Sequence, residues 1–174
     1  MSMERLKSAI RDVPDFPKPG IIFKDITPVL GDPALFKMAV DVLAERHLKS
    51  RIDRVCAIEA RGFLFGAAVA YRLGAGVVPI RKKGKLPHRT DEASYSLEYG
   101  TATIQMHTDA LAKGQRVLLI DDLLATGGTA AASADLVRKQ GAEIVEIEFL
   151  VELAFLKGRG KLQGYKIFAP IVYD

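Results

Sequence analysis

One cysteine, Cys56, is present among 174 residues, so an intrachain disulfide and a Cys-rich metal site are both excluded. It lies in the apolar run Arg54-Val55-Cys56-Ala57-Ile58, where a small buried hydrophobe is a better reading than a nucleophile. No apolar run approaches the ~20 residues a membrane-spanning helix needs. Residues 1–12 are charged and lack the apolar core of a secretion signal, so a cytoplasmic protein with no membrane partner is expected. Blocks of like charge are also missing, none being longer than Arg81-Lys82-Lys83. The formal charge of +4 is mild: it suits a basic face that steers a polyanionic small molecule, and no nucleic-acid module accompanies it. His47, His88 and His107 show no metal-ligand spacing, and there are no internal repeats or low-complexity tracts. Hydrophobic residues at 49% and charged residues at 26% are globular values, and the length suits a single domain over residues 1–174.

What is present centres on Val117-Leu118-Leu119-Ile120-Asp121-Asp122-Leu123-Leu124-Ala125-Thr126-Gly127-Gly128-Thr129. Four consecutive aliphatics fit a strand buried on both faces of a parallel sheet. Two acids end it, a loop of small residues follows, and an Ala-rich helix over 130–140 closes at Gly141. Such a loop at a helix N-terminus lets backbone N–H groups converge on an anion, and the helix dipole favours negative charge there. Thr126 and Thr129 add hydroxyls, and Thr129 is placed to cap the helix. Adjacent carboxylates repel a phosphate but accept hydrogen bonds from the vicinal hydroxyls of a ribose. Together these features predict a sugar 5'-phosphate site. A Walker loop is excluded because Thr129, not Lys, follows the second Gly, and the Gly pair is too little for a dinucleotide fingerprint.

The other segments supply further elements. Residues 3–10 have a short amphipathic pattern. Beyond them, Pro14, Pro17, Pro19 and Pro28 restrict their neighbours, so an ordered coil is expected: either a surface wrap, or a specificity segment with Phe23 on a planar ring. Asp32-Pro33 starts a helix to about His47. Residues 52–59 form a buried strand ending in Glu59-Ala60-Arg61-Gly62, where open α/β sheets bind ligands. Arg61 either holds diphosphate or pairs with Glu59. A strand over 76–80 leads to the basic turn 81–87, an anion site or a solvated loop. Alternation over 88–109 with Gly100 midway predicts a β-hairpin, a candidate lid. Strands follow over 144–153, with Glu152 read as a sheet-edge acid, and over 165–171 beyond the charged turn 157–161. The succession of βα units predicts an α/β fold, a parallel sheet flanked by helices.

Taken in order, the segment around Ile22-Phe23-Lys24, the turn Ala60-Arg61-Gly62-Phe63-Leu64-Phe65-Gly66, the basic turn, Tyr95-Ser96-Leu97-Glu98-Tyr99-Gly100 and the Gly-rich loop resemble the type I phosphoribosyltransferases that use adenine. The resemblance spans nearly the whole chain. It implies that fold with a flexible hairpin lid over about 88–109 carrying Tyr99, and an N-terminal hood mainly over 1–31. It also implies transfer of phosphoribose from Mg2+-bound 5-phosphoribosyl 1-diphosphate (PRPP) to N9 of adenine, giving AMP and diphosphate in purine salvage. Ala125, Thr126, Gly127, Gly128 and Thr129 would hold the 5'-phosphate, and Asp121 and Asp122 the ribose. Arg61, Arg81, Lys82 and Lys85 would hold diphosphate, while Ile22, Phe23 and Lys24 frame adenine. The family is usually homodimeric and shares the basic turn between subunits. Lys24 departs from a common Arg and loses planar stacking and bidentate bonding. Breaking the C1'–O bond builds negative charge on diphosphate, where Arg61 and Mg2+ act, the metal being carried mainly by PRPP without direct protein ligands. Glu98 is a candidate for proton exchange with the purine, or else a solvent-facing strand acid. A 6-oxopurine-using enzyme and a non-catalytic PRPP sensor are the alternatives.

Overall fold

The computed structural model describes residues 3–97 and 100–174. The chain divides into two compact units, residues 1–42 and 43–174. In the first, helix α1 (Met3–Ala9) precedes strands β1 (Arg11–Pro14) and β2 (Ile22–Asp25), which pair antiparallel, and a short helix α2 (Thr27–Gly31) follows. The coil expected across the prolines is therefore a two-stranded ribbon and a helical turn. Proline restricts φ without forbidding extended backbone, and Pro28 sits at the start of α2, where its missing N–H costs no hydrogen bond. The connection between the strands is closed locally, with Gly20 N–H donating to Asp15 Oδ1 at 2.8 Å and the Phe16–Pro17 peptide cis.

Helix α3 (Pro33–Ala44) begins as its sequence predicts, with Asp32 Oδ1 accepting from the backbone N–H of Ala34 at 2.8 Å and Leu35 at 3.0 Å. The second unit then runs β3 (Arg54–Ile58), α4 (Gly62–Leu73), β4 (Gly76–Lys82), β5 (Thr90–Leu97), β6 (Gly100–His107), β7 (Arg116–Leu124), α5 (Gly128–Lys139), β8 (Glu143–Leu153), β9 (Ile167–Phe168) and β10 (Ile171–Tyr173). The sheet order is β10-β8-β7-β3-β4-β6-β5, with β9 also pairing to β8. The sheet is parallel from β10 to β4, as expected, but mixed overall, because the hairpin β5–β6 joins β4 antiparallel. The final strand predicted over 165–171 is two short ones.

Alternation along β3 shows how both faces are covered. Ala57 and Val55 meet α4, where Gly66 has no room for a Cβ: one would lie 2.5 Å from the Ala57 Cβ. Cys56 and Ile58 face the other way, into a cluster with Leu119, Phe149 and the small face of α5, Ala130 and Ala134. Val117 to Ile120 are fully buried, as four apolar residues in a row require of a strand between two layers. At about 1.5–3 kcal/mol per buried aliphatic side chain, this strand is the centre of the unit's stability. Among the described residues, no helix is long and apolar enough to cross a membrane.

One charged cluster ties the turn after α3 to β8. His47 Nε2 lies 3.0 Å from Glu148 Oε1 and 3.1 Å from Glu146 Oε2, all three residues being buried. Arg46 bonds both Glu146 oxygens, through Nη2 at 2.8 Å and Nε at 3.2 Å, and stacks 3.9 Å from the Phe168 ring centroid. The His–Glu–Glu atoms lie within 4.8 Å of one another, but with arginine taking Glu146 the group is an ion-pair network. The hydrogen bond to Glu148 and the two carboxylate charges raise the His47 pKa, while burial raises that of Glu148. Both shifts have the same sign: the folded chain holds these protons more tightly. The His47 contribution is complete below about pH 6.5 and is lost as pH rises through its raised folded value. The Tm is therefore expected to fall as pH increases above about 6.5, and His47→Gln to flatten that slope while costing about 1–3 kcal/mol near pH 6. Calorimetric Tm curves from acid to alkaline pH check this, and parallel curves for the two proteins overturn it.

Candidate active site

The C-terminal ends of β3, β4 and β7 surround a cavity of about 450 Å³, whose walls include Glu59, Arg61, Lys82, Tyr95, Asp121, Asp122, Ala125 and Thr129. Its geometry follows from one close approach. A Cβ on Gly62 would lie 2.8 Å from Asp121 Oδ1 and 3.0 Å from the Ile120 carbonyl oxygen, so only glycine lets α4 start against the end of β7. The preceding Arg61 then reaches Asp122, with Nε 2.7 Å from Oδ2. This is an ion pair by distance without an aligned hydrogen bond, since Oδ2 has no hydrogen-bond partner among the described residues. Arg61 thus pairs with Asp122, and among the described residues no ion pair joins it to Glu59.

Asp122 is 4% exposed and donates its backbone N–H to Asp121 Oδ1 at 2.8 Å. Burial, and then the neighbouring Asp122 charge, push the Asp121 carboxyl well above the usual carboxylate range. The two acids are therefore unequal: Asp122 faces a guanidinium, whereas Asp121 holds its proton more tightly than an ordinary carboxyl does.

Beyond them a smaller pocket of about 70 Å³ is lined by residues from Ala125 to Ala130 and floored by Phe149. Gly127, with φ of 79°, stands at the cap position of α5, and no side chain bonds the helix end. Thr129 is thus inside the first turn and does not cap, contrary to the sequence expectation; a left-handed cap residue is what the Gly pair supplies. The first N–H groups of α5 lack helical partners and can receive an anion.

Of the basic turn, Lys82 lines the cavity. Arg81 turns to Glu59 Oε2 at 3.3 Å and to the Lys85 carbonyl at 3.0 Å, and Glu59 also accepts from the Lys82 backbone N–H at 3.0 Å. Lys85 is exposed and Arg81 is partly so; neither is among the residues of the cavity wall. The Glu59–Ala60 peptide is cis. Hairpin β5–β6 has its base anchored to α5 through Gln140, whose Nε2 donates to Asp91 Oδ2 at 3.0 Å and to the His107 carbonyl at 2.8 Å. Its Tyr95 lines the cavity and packs on Gly128, where an added Cβ would meet the ring at 3.0 Å. Glu98 and Tyr99 lie outside the described residues.

Ile22, Phe23 and Lys24 all fall on β2 of the first unit. Phe23 meets Phe16 edge to face at 5.2 Å, and Lys24 Nζ pairs with Asp12 Oδ1 at 2.6 Å. Sequence reasoning missed the roles of Gly62 and Tyr95 in shaping the cavity. A glycine directly after a charged strand end was a usable sign for Gly62, whereas nothing local marks Tyr95. Glu152, expected at a sheet edge, lies between β7 and β10 on a central strand, 5% exposed and paired with Arg159 Nη2 at 2.7 Å. A buried acid in the sheet interior needs such a partner.

A strand-end cavity beside a glycine-capped helix places this chain among the α/β proteins whose sheets take a ligand at the carboxyl ends of their strands. The sequence profile of the phosphoribosyl transferase domain matches residues 30–168, and the chain belongs to this family, with the type I fold. Among its relatives, the adenine phosphoribosyltransferase of Geotalea uraniireducens is 58% identical over 171 residues, covering 98% of this chain and 100% of that protein. The crystal structure of adenine phosphoribosyltransferase from Thermoanaerobacter pseudethanolicus is 53% identical and superposes with a TM-score of 0.94, covering 99% and 100% of the two chains. That of the Saccharomyces cerevisiae enzyme, complexed with D-2,5-dideoxy-2,5-imino-altritol 1,6-bisphosphate and adenine, is 40% identical with a TM-score of 0.92, covering 97% and 98%.

Because α4 has no slack against β7, Gly62→Ala is expected to destabilise the chain by about 1–3 kcal/mol, lowering Tm by roughly 2–10 °C. Gly160→Ala, where an added Cβ meets nothing within 4 Å, is expected to stay within about 0.5 kcal/mol of the parent. Calorimetry on the pair checks the contrast, and equal Tm values would remove the close approach as a constraint.

Proposed function

We propose that the chain transfers phosphoribose from PRPP to N9 of adenine, releasing AMP and diphosphate in purine salvage. The observation that carries this reading is a cavity whose wall holds Arg61, Asp121 and Asp122 together with Thr129 at the N-terminus of α5, beside 58% identity over 171 residues to an adenine phosphoribosyltransferase. The backbone N–H groups of Ala125 to Thr129, with the Thr126 and Thr129 hydroxyls, hold the 5'-phosphate. Asp121 and Asp122 accept from the ribose hydroxyls. An O–H donor arriving at Asp121 favours its ionised form, offsetting the shift that burial and Asp122 impose.

In the reaction the C1'–O bond breaks, its electron pair leaves with diphosphate, a bond forms from N9 to C1', and the N9 proton departs. Arg61 and Lys82 lie where negative charge grows on the leaving group, with Arg81 and Lys85 adding to the positive field. Glu98 exchanges the purine proton, and Tyr99 belongs to the lid over 88–109. Ile22, Phe23 and Lys24 frame the base within a hood mainly over residues 1–31.

Asp121 and Asp122 put carboxylate oxygens on the cavity wall that would accept hydrogen bonds from the waters of a Mg2+ carried on PRPP, with no direct protein ligand to the metal. When bound, Mg2+ neutralises charge on the diphosphate. The protein works in the cytoplasm, its single thiol asking for no oxidising compartment. It acts as a homodimer, and the exposed Leu64 and Tyr71, two turns apart on α4, offer apolar surface for a second copy.

Product analysis with PRPP, Mg2+ and separate adenine, hypoxanthine, guanine and xanthine tests the reading. AMP from adenine alone, abolished by chelation, is the expected result. Turnover of an oxopurine overturns the base assignment, and PRPP binding without turnover makes the protein a sensor. Glu98→Gln is expected to lower kcat about 10²-fold with the KM for PRPP within about threefold. An unchanged kcat removes Glu98 from the chemistry.

A further inference from the structure

The phosphate loop has its shape imposed from behind. A Cβ added to Gly127 would sit 2.4 Å from the carbonyl oxygen of Gly158, and one added to Gly158 would sit 2.3 Å from the carbonyl oxygen of Ala125 and 2.9 Å from Leu124 Cδ1. The backbone of Gly158, in the turn 157–161, is thus in direct contact with the backbones of Ala125 and Gly127. A side chain on Gly127 or Gly158 would separate them. Gly158 is buried, although its neighbours in the turn are charged and exposed.

That turn is short and carries a left-handed non-glycine residue, Lys157 at φ 55°, so its position is not set by helical hydrogen bonding alone. It is fixed by a fork. Arg159 Nε donates to Glu152 Oε1 at 2.8 Å and lies 3.0 Å from Oε2, while Nη2 donates to Oε2 at 2.7 Å. Glu152 stands on β8 in register with Leu124 of β7, the residue from which the phosphate loop departs. The acid therefore locates the turn relative to the same strand pair that launches the loop. Leu162, 1% exposed in the core, pins the far end.

We infer that Glu152 and Arg159 are positioning residues for 5'-phosphate recognition: their fork holds Gly158 against Gly127 and so keeps the N–H groups at the start of α5 converged. This rests on the proposed function and extends it to residues that touch no substrate. A fork fixes orientation as well as distance, which a single-point ammonium does not, and convergent donors tolerate little misplacement.

The test compares Glu152→Gln, Arg159→Lys and the double variant with the parent. It measures KM for PRPP and for adenine, kcat, Tm, and calorimetric Kd for ribose 5-phosphate. The expected result is a rise of about tenfold in the KM for PRPP and in the ribose 5-phosphate Kd, with kcat and the KM for adenine within about twofold. The double variant is expected to be no worse than the poorer single, because the pair acts as a unit. A lowered Tm with unchanged ribose 5-phosphate Kd, or kcat and both KM values moving together, overturns the inference. Should Glu152→Gln fail to fold, Arg159→Lys, which keeps the charge and loses the fork, decides alone by the same split. The calorimetric arm separates this inference from the function: weakened sugar-phosphate binding supports it even if the parent makes no AMP, whereas a parent that binds no ribose 5-phosphate ends both.

Discussion

Everything at the candidate site depends on how closely the start of α4 approaches the end of β7. Strand neighbours in a sheet are about 4.8 Å apart, so the crossover after β3 must bring its helix over β7 with no intervening side chain if a guanidinium is to meet a carboxylate there. Gly62 provides that clearance, and the Arg61–Asp122 contact at 2.7 Å is its product. The buried aliphatic strand behind Asp121 and Asp122 makes the arrangement stiff, because moving either acid would disturb four fully buried residues. A rigid core thus carries an electrostatic arrangement that would be costly elsewhere.

The same logic explains why the two adjacent acids differ. Both stand at the end of a strand on the cavity wall, Asp122 buried and Asp121 half-buried, and a neighbouring charge raises the Asp121 carboxyl. Arg61 is the asymmetry. It meets Asp122 directly, whereas for Asp121 it only offsets the effects of burial and of its neighbour. The cavity wall therefore presents two carboxyls in unlike settings, Asp122 against a guanidinium and Asp121 with its carboxyl held above the usual range.

Much of this was legible because its signals are local. Strand, acids, glycine pair and helix follow one another over residues 117–139, each announced by its own composition, and Asp32-Pro33 needed no partner to start α3. The hairpin was equally readable from alternation around Gly100. What could not be read depended on pairing between distant segments. Prolines hid the ribbon of β1 and β2 because extended backbone is fixed by a partner strand and not by propensity. Glu59 is the partner that sequence offers Arg61 as the alternative to diphosphate, but the parallel register of β3 with β7 brings Asp122 to it, and β4 brings Arg81 to Glu59. Sheet order is also why Glu152 was misplaced, since only the crossovers decide that β8 lies inside and β5 at an edge.

The placement of glycine separates two uses of a small residue that composition alone cannot distinguish. Gly127 serves its own φ of 79° and the carbonyl behind it, so both backbone freedom and lack of bulk are required there. Gly62, Gly66 and Gly158 have ordinary φ and serve only to let another segment approach. Three of these four positions bear on the cavity or its glycine-rich loop: one draws α4 to the acids, one caps α5 and one supports the loop from behind. A loop of small residues has few contacts with which to hold itself. Its order is therefore borrowed from neighbours that touch it at backbone distance, which fixes the N–H groups at the start of α5 without placing a large side chain over them.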